Sequence, residues 1–238
     1  MRVPVAVVFA FALLLSGCTP APDSAVTSDT SATSSVSSPA PSPTPVSSTQ
    51  PTAATGGWLP SADIPLDSEI HWPALADSAQ PVTSPRLRFE DLCHSTIPEY
   101  REHLESQGYE AKRAQPPTPE GGSWQVQQTI FTWQPDPADP HGGDNGRYFF
   151  NELQSELGEC GSATVKLGSD GTSLSYRVPG PGDGTTYGHL VWAQGYCALS
   201  DFVMWAESRQ DATWTDDDSE ATNAALDAAL RTGPRCKG

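Results

Sequence analysis

Basic residues are scarce in this chain of 238 residues: Lys and Arg number 13 against 29 Asp and Glu, for a formal net charge of −16. Arg2 is the only one before Arg86. Such a surface repels phosphate backbones, which argues against a nucleic-acid partner. It also offers no polybasic patch to anionic lipid head groups. Motifs of common catalysts are missing as well. There is no His-Glu-x-x-His, and none of His71, His94, His103, His141 and His189 is four residues from another, as a helical zinc pair requires. There is no Gly-x-Ser-x-Gly nucleophile elbow. Gly180-x-Gly182-x-Gly184 carries Pro181 and does not join a strand to a helix, so it does not suit a phosphate cradle.

Bulky side chains are absent from Thr19 to Thr55, which has no aromatic residue, leucine, isoleucine or methionine and is almost all Ser, Thr, Pro and Ala. Such a segment cannot bury enough apolar surface to offset its ordering entropy, which predicts a disordered tether over residues 18–57. Its prolines stiffen it toward polyproline II, and its composition suits O-glycosylation.

Ahead of the tether, Val3 to Leu15 forms an apolar run interrupted only by Pro4 and preceded by Arg2. It is too short for a bilayer core, which takes about 20 residues, and has the length of an export-signal core. It ends in Leu15-Ser16-Gly17-Cys18, which resembles the bacterial lipobox. Small residues admit the extended chain to a peptidase site, and the Cys18 thiol is the nucleophile that takes a diacylglyceryl group. Residues 1–17 are thus read as a lipoprotein signal peptide and Cys18 as the lipidated N-terminus. Acyl chains hold such a protein at the membrane by about 0.8 kcal/mol per buried CH₂.

Composition changes at Gly56-Gly57-Trp58, and residues 58–238 are expected to form one folded domain. Residues 58–92, punctuated by Pro60, Pro65, Pro73, Pro81 and Pro85, read as an extended arm. Thr96-Ile97-Pro98-Glu99 resembles a capping box and predicts a helix over 97–107. Trp124 to Trp133 reads as a strand, residues 135–143 as a loop, and 144–157 as a helix presenting Phe149, Phe150, Leu153 and Leu157. Strands follow at 163–167 and 174–178, around a Ser169-Asp170-Gly171 turn. Two more are expected at 187–196 and 202–207, joined near Ser200-Asp201, before a C-terminal helix through Leu226 and Leu230. Trp124, Trp133, Trp192 and Trp205 fall on strands, where they serve a core or sheet face. The order predicts an α+β domain, an antiparallel sheet of about five strands with about three helices on one face.

Cys18 apart, Cys93, Cys160, Cys197 and Cys236 remain, an even number in an exported chain, which predicts two disulfides. Of the three possible connectivities, Cys160–Cys197 with Cys93–Cys236 is favoured. Cys160-Gly161-Ser162 faintly echoes papain-type enzymes, but a disulfide would remove the thiolate. Asp136, Asp139 and Asp144, or Asp216, Asp217, Asp218 and Glu220, could converge on calcium, yet neither has the spacing of a calcium loop. Asp216 to Asp218 are explained by the dipole of the helix they precede. No metal, cofactor or catalytic residue is assigned, and the histidines are read as surface or capping residues.

Val126-Gln127-Gln128-Thr129-Ile130-Phe131, the helix ending at Cys160, the cysteine-bearing hairpin around Cys197 and the C-terminal helix form a pattern over Val126 to Arg231. It resembles the extracellular sensor domain of actinobacterial PknH-type kinases and related lipoproteins, as do Leu59-Pro60 and Asp63-Ile64-Pro65. The kinase half, with its Gly-rich loop and His-Arg-Asp, is absent from this sequence. The resemblance implies an α+β fold with two disulfides and a cleft for an envelope ligand; it transfers no contact residue. The expectation is a non-catalytic ligand-binding or sensor lipoprotein on the outer face of the cell membrane, partnered by the membrane and an envelope ligand or protein. Its alternatives are an envelope hydrolase or inhibitor, or a structural, partner-docking lipoprotein.

Overall fold

The computed structural model describes residues 56–94, 108–118, 120, 122–133, 145–208, 218–233 and 235. All lie in one compact unit, Thr49–Gly238. Its frame is a sheet of seven strands: β1 (Gln80–Val82), β2 (Tyr109–Ala114), β3 (Trp124–Trp133), β4 (Thr164–Leu167), β5 (Ser173–Pro179), β6 (Thr185–Ala193) and β7 (Ala198–Ala206). The spatial order is β1-β2-β3-β7-β6-β5-β4, and every neighbouring pair is antiparallel. Among the described residues, four α-helices accompany it: α1 (Asp67–Ile70), α2 (Arg88–Leu92), α3 (Asn145–Glu159) and α4 (Asp218–Leu230).

The period-two alternation of a strand distributes side chains between the two faces. Along β7, Leu199, Val203 and Trp205 join one core, while Ala198, Phe202, Met204 and Ala206 join the other. Every residue of β7 is buried, as a central strand covered on both faces should be. The first face packs Phe131, Trp133, Leu174, Tyr176, Leu190 and Trp192 against Phe89 of α2 and Phe149, Phe150, Leu153 and Leu157 of α3. The second packs Val126, Ile130, Val191, Phe202 and Met204 against Leu226 and Leu230 of α4, and against Trp58, Leu59, Ile64, Trp72 and Leu75. Helices therefore cover both faces, correcting the expectation of one.

Gln128 fastens the N-terminal segment to that second face. Its Oε1 accepts the Leu59 N–H at 2.9 Å, and its Nε2 donates to Gly57 O and to Ser200 Oγ, each at 3.0 Å. The side chain offers the incoming chain what a neighbouring strand would. Gly57 has φ +89°, and a Cβ there would press within 3.3 Å of Ile130 Cδ1, so both conformation and space select glycine.

Among the described residues the expected five strands and three helices thus become seven and four. The predicted helix over 97–107 and the loop at 135–143 lie outside the described residues. The supposed extended arm contains short elements instead: α1 lies between Pro65 and Pro73, α2 follows Pro85, and β1 carries Pro81 on the sheet edge, where a missing N–H is tolerated. β2 reads Tyr-Glu-Ala-Lys-Arg-Ala, rich in helix formers; pairing with β1 and β3 on its two sides makes it a strand, a tertiary override of propensity. Ser200 and Asp201 do not form the β6–β7 turn. Both are fully buried mid-strand, and the turn lies at residues 194–197, where Gly195 has φ +82° and Cys197 φ +42°.

The favoured cysteine pairing is also overturned. Cys93, which caps α2, bonds Cys160, which follows α3, with Cα atoms 5.4 Å apart. It is the one disulfide with both partners among the described residues. Cys197 is itself disulfide-bonded, while Cys236 lies outside the described residues. The elements carrying Cys93 and Cys160 share the first core, so their C-terminal ends meet there.

Candidate functional site

Two places concentrate polar chemistry, one sealed and one open. The sealed one lies on the first face between α2 and the sheet. Tyr176 on β5 donates its hydroxyl to Asp201 Oδ1 on β7 at 2.8 Å. Both groups are buried, and Asp201 Oδ2 has no hydrogen-bond partner among the described residues. Burial raises the Asp201 carboxyl to about 7, against the hydrogen bond from Tyr176 and the charge of Arg113. Burial likewise holds the Tyr176 phenol well above its ordinary value. Gly188 on β6 makes room for that ring: a Cβ there would overlap it.

α2 closes this cluster from above. The Glu90 carboxylate accepts the Leu87 N–H at the helix start, and Glu90 is 1% exposed. Arg88 lies 4.1 Å over the Trp205 ring and donates from Nε to Thr186 Oγ1 at 3.2 Å. A carboxyl near 7 has the poise of a general acid. Asp201, at 0% exposure, has no path to a substrate, so its role in this conformation is to join β5 to β7 inside the core.

The open place is a groove of about 410 Å³ at the β4 end of the sheet, between the β4–β5 hairpin and α4. That volume is in the range of small-ligand sites. Antiparallel pairing sets Lys166 opposite Ser175, so Lys166, Ser173 and Ser175 line one wall. The helical stripe Ser219, Asn223 and Asp227 forms the other, each residue four after the last. The hairpin turn sets the rim: Gly171 has φ +68°, and Asp170 accepts both the Thr172 N–H at 3.0 Å and its hydroxyl at 2.6 Å. These hydrogen bonds lower the Asp170 carboxyl below its ordinary value.

Behind the groove, His189 on β6 is 1% exposed and sits 3.0 Å from Asn223 Oδ1 through Nδ1. An amide oxygen only accepts, so this nitrogen carries the proton. Burial lowers the ring to about 4 despite that hydrogen bond, which keeps the imidazole neutral. The contact fixes the Asn223 amide with its oxygen toward the core.

The structure brings few of the sequence-marked residues together. Cys18 lies outside the described residues, as do Asp136, Asp139, Asp144, Asp216, Asp217, His103 and His141. Cys160 is held in a disulfide, which removes it as a thiolate nucleophile. The Gly180 to Gly184 segment turns β5 into β6, with Gly180 N–H donating to Gly184 O at 2.8 Å. His71 and His94 are exposed, whereas His189 is buried, correcting its reading as a surface or capping residue. The four strand tryptophans are buried, as core residues should be. Among the described residues no His, Cys, Asp and Glu cluster could hold a metal ion. No described helix is long and apolar enough to cross a membrane. The groove escaped sequence reading because its two walls are separated by about 50 residues of chain and only the fold joins them; the alternation Lys166, Ser173, Ser175 on strand faces was the available signal.

No protein-family model matches the sequence, and no curated protein does either. Among solved structures, the extracellular domain of PknH from Mycobacterium tuberculosis is similar at a TM-score of 0.41 and 13% identity, over 77% of this chain and 98% of that one. The likeness is loose, and no property of that domain is carried over to this chain.

Proposed function

We propose that the chain is a membrane-anchored extracytoplasmic lipoprotein whose folded unit is a non-catalytic ligand-binding or sensor module. The observation that carries the binding role is the contrast between the two polar places. The strongly perturbed carboxyl, Asp201, is sealed in the core, and the solvent-open groove is lined by groups suited to hydrogen bonding. The anchoring rests on Leu15-Ser16-Gly17-Cys18 directly after the apolar run from Val3 to Leu15, and the reach of the module on the Ser/Thr/Pro/Ala-rich segment that follows. Two acyl chains suffice for stable anchoring.

Metabolic labelling with a palmitate analogue tests the anchor: label in the membrane fraction is expected for the native chain and none for Cys18→Ala. Unlabelled protein with free thiols in the cytosol would overturn it. The binding role is tested by mass spectrometry of envelope material retained on the full chain. A reproducible ligand, lost when Ser219→Trp fills the groove, is expected. Turnover of envelope polymer by the purified chain would instead favour a hydrolase.

A further inference from the structure

We propose that the groove between the β4–β5 hairpin and α4 binds a neutral, hydroxyl-rich ligand: a saccharide of the cell surface. The inference deepens the binding-module reading and rests on it.

Of the groove's four charged side chains, Asp170 and Asp227 are committed to protein partners, which leaves Lys166 and Glu220, of opposite sign. The Asp170 carboxylate is occupied by Thr172 through two hydrogen bonds. Asp227 Oδ2 pairs with Arg231 Nε at 2.7 Å. What remains uncommitted is mostly neutral. Ser173 and Ser219 are 9% and 6% exposed, and both line the groove. They stand on opposite walls, one on the sheet and one on the helix.

Asn223 adds a directed donor. His189 holds its Oδ1 from the core side at 3.0 Å, which turns the amide NH₂ away from the core. Asp227 Oδ1, buried and without a partner, supplies an acceptor one helical turn further on. Ser175 and Lys166 extend the donor row along the opposite wall. Hydroxyls that both donate and accept, a fixed amide donor and a carboxylate oxygen match the alternating donor and acceptor character of sugar hydroxyls. A cation would need several free carboxylates; with Asp170 and Asp227 Oδ2 partnered, only Glu220 and Asp227 Oδ1 remain.

The full-length protein in detergent is titrated with soluble gluco-, xylo-, arabino- and chito-oligosaccharides, with spermidine as the cationic probe. Binding is read by calorimetry and by hydrogen–deuterium exchange. The expected result is that one oligosaccharide class binds and protects amides of β4, β5 and α4. Ser173→Ala and Ser219→Ala should each weaken it about fivefold, the loss of one neutral hydrogen bond. Asn223→Asp, which keeps the acceptor for His189 but loses the NH₂, should weaken it about tenfold. Thermal melting of the serine variants near the native value confirms that the fold is intact. Protection of the groove by spermidine alone overturns the proposal, as does failure of every oligosaccharide to bind, or binding that the three variants leave unchanged. An oligosaccharide bound elsewhere on the folded unit overturns the groove assignment but leaves the binding-module reading standing. That reading fails separately, if the chain is neither acylated nor exported.

Discussion

The two faces of the sheet solve the same burial problem differently. The first is closed by aromatic side chains, a disulfide and a helix turn: Phe149 stands edge-on to Phe131 at 4.8 Å, Phe89 edge-on to Tyr176 at 5.4 Å, and Cys93 bonds Cys160. Even its carboxyl, Asp201, is enclosed and matched to a phenol. The second is held at its centre by Gln128 and at one side by His189 and Asn223, and beyond them it opens into a hydroxyl-lined groove. Large apolar groups close the first face throughout; the apolar core of the second gives way at its β4 edge to hydroxyls and an amide. Rigidity on the first face gives the second a stable platform on which to present polar groups.

The largest effect that would break this contrast is removal of the α3 anchor. Phe150, 1% exposed in the first core, should cost ~3–5 kcal/mol as Phe150→Ala, read as a shift in the urea midpoint with unchanged slope. Titration sharpens the contrast, because each face holds a group displaced to between about 4 and about 7. The folded chain keeps a proton on Asp201 up to about 7, where an ordinary aspartate releases it at 3.8. Stability from this group is therefore full below about 4 and falls as pH rises through 7, by ~4 kcal/mol in all. His189 is held neutral down to about 4 against an ordinary 6.5, so its contribution falls as pH drops from 6.5 toward 4. Between those limits the two slopes oppose each other. Asp201→Asn should raise stability relative to the native chain above pH 7 and unmask the histidine as a loss on acidification, both visible in melting curves from pH 4 to 8.

Opening the cross-link comes next. Cys93→Ala with Cys160→Ala frees a loop of 67 residues and should cost ~2–4 kcal/mol, measured by denaturation against the native chain. Gln128→Leu is expected to cost ~1–3 kcal/mol by stranding the Leu59 N–H and Gly57 O, with faster hydrogen exchange at Leu59 and little change around Phe131.

The elements with strong periodicity were legible in the sequence. α3 shows its Phe149, Phe150, Leu153 and Leu157 stripe, and β3, β4 and β5 follow the alternation that names them. What failed was whatever depended on distant partners. Asp201 looks like a turn residue until Tyr176 is placed opposite it, and β2 looks helical until β1 and β3 flank it. The disulfide pairing depended on which helix ends meet, and local spacing does not encode that. Of the open groove, single hydroxyls and carboxylates were visible, but the meeting of Ser173 with Ser219 requires the hairpin to lie beside α4. His189 carries no local mark of burial, since its neighbours on β6, Gly188 and Leu190, are ordinary strand residues.

The grip of Gln128 also has a mechanical side. Tension arriving from the N-terminal direction enters the fold at Gly57, which is clasped by a central strand through Gln128 and by Thr232 beyond α4, where Thr232 Oγ1 accepts the Gly57 N–H at 3.2 Å. A load there is shared between strand and helix at once, away from the short outer strands β1 and β4. A pull on Gly57 would therefore be borne by the central strand β3 and by the end of α4, the helix that also walls the groove.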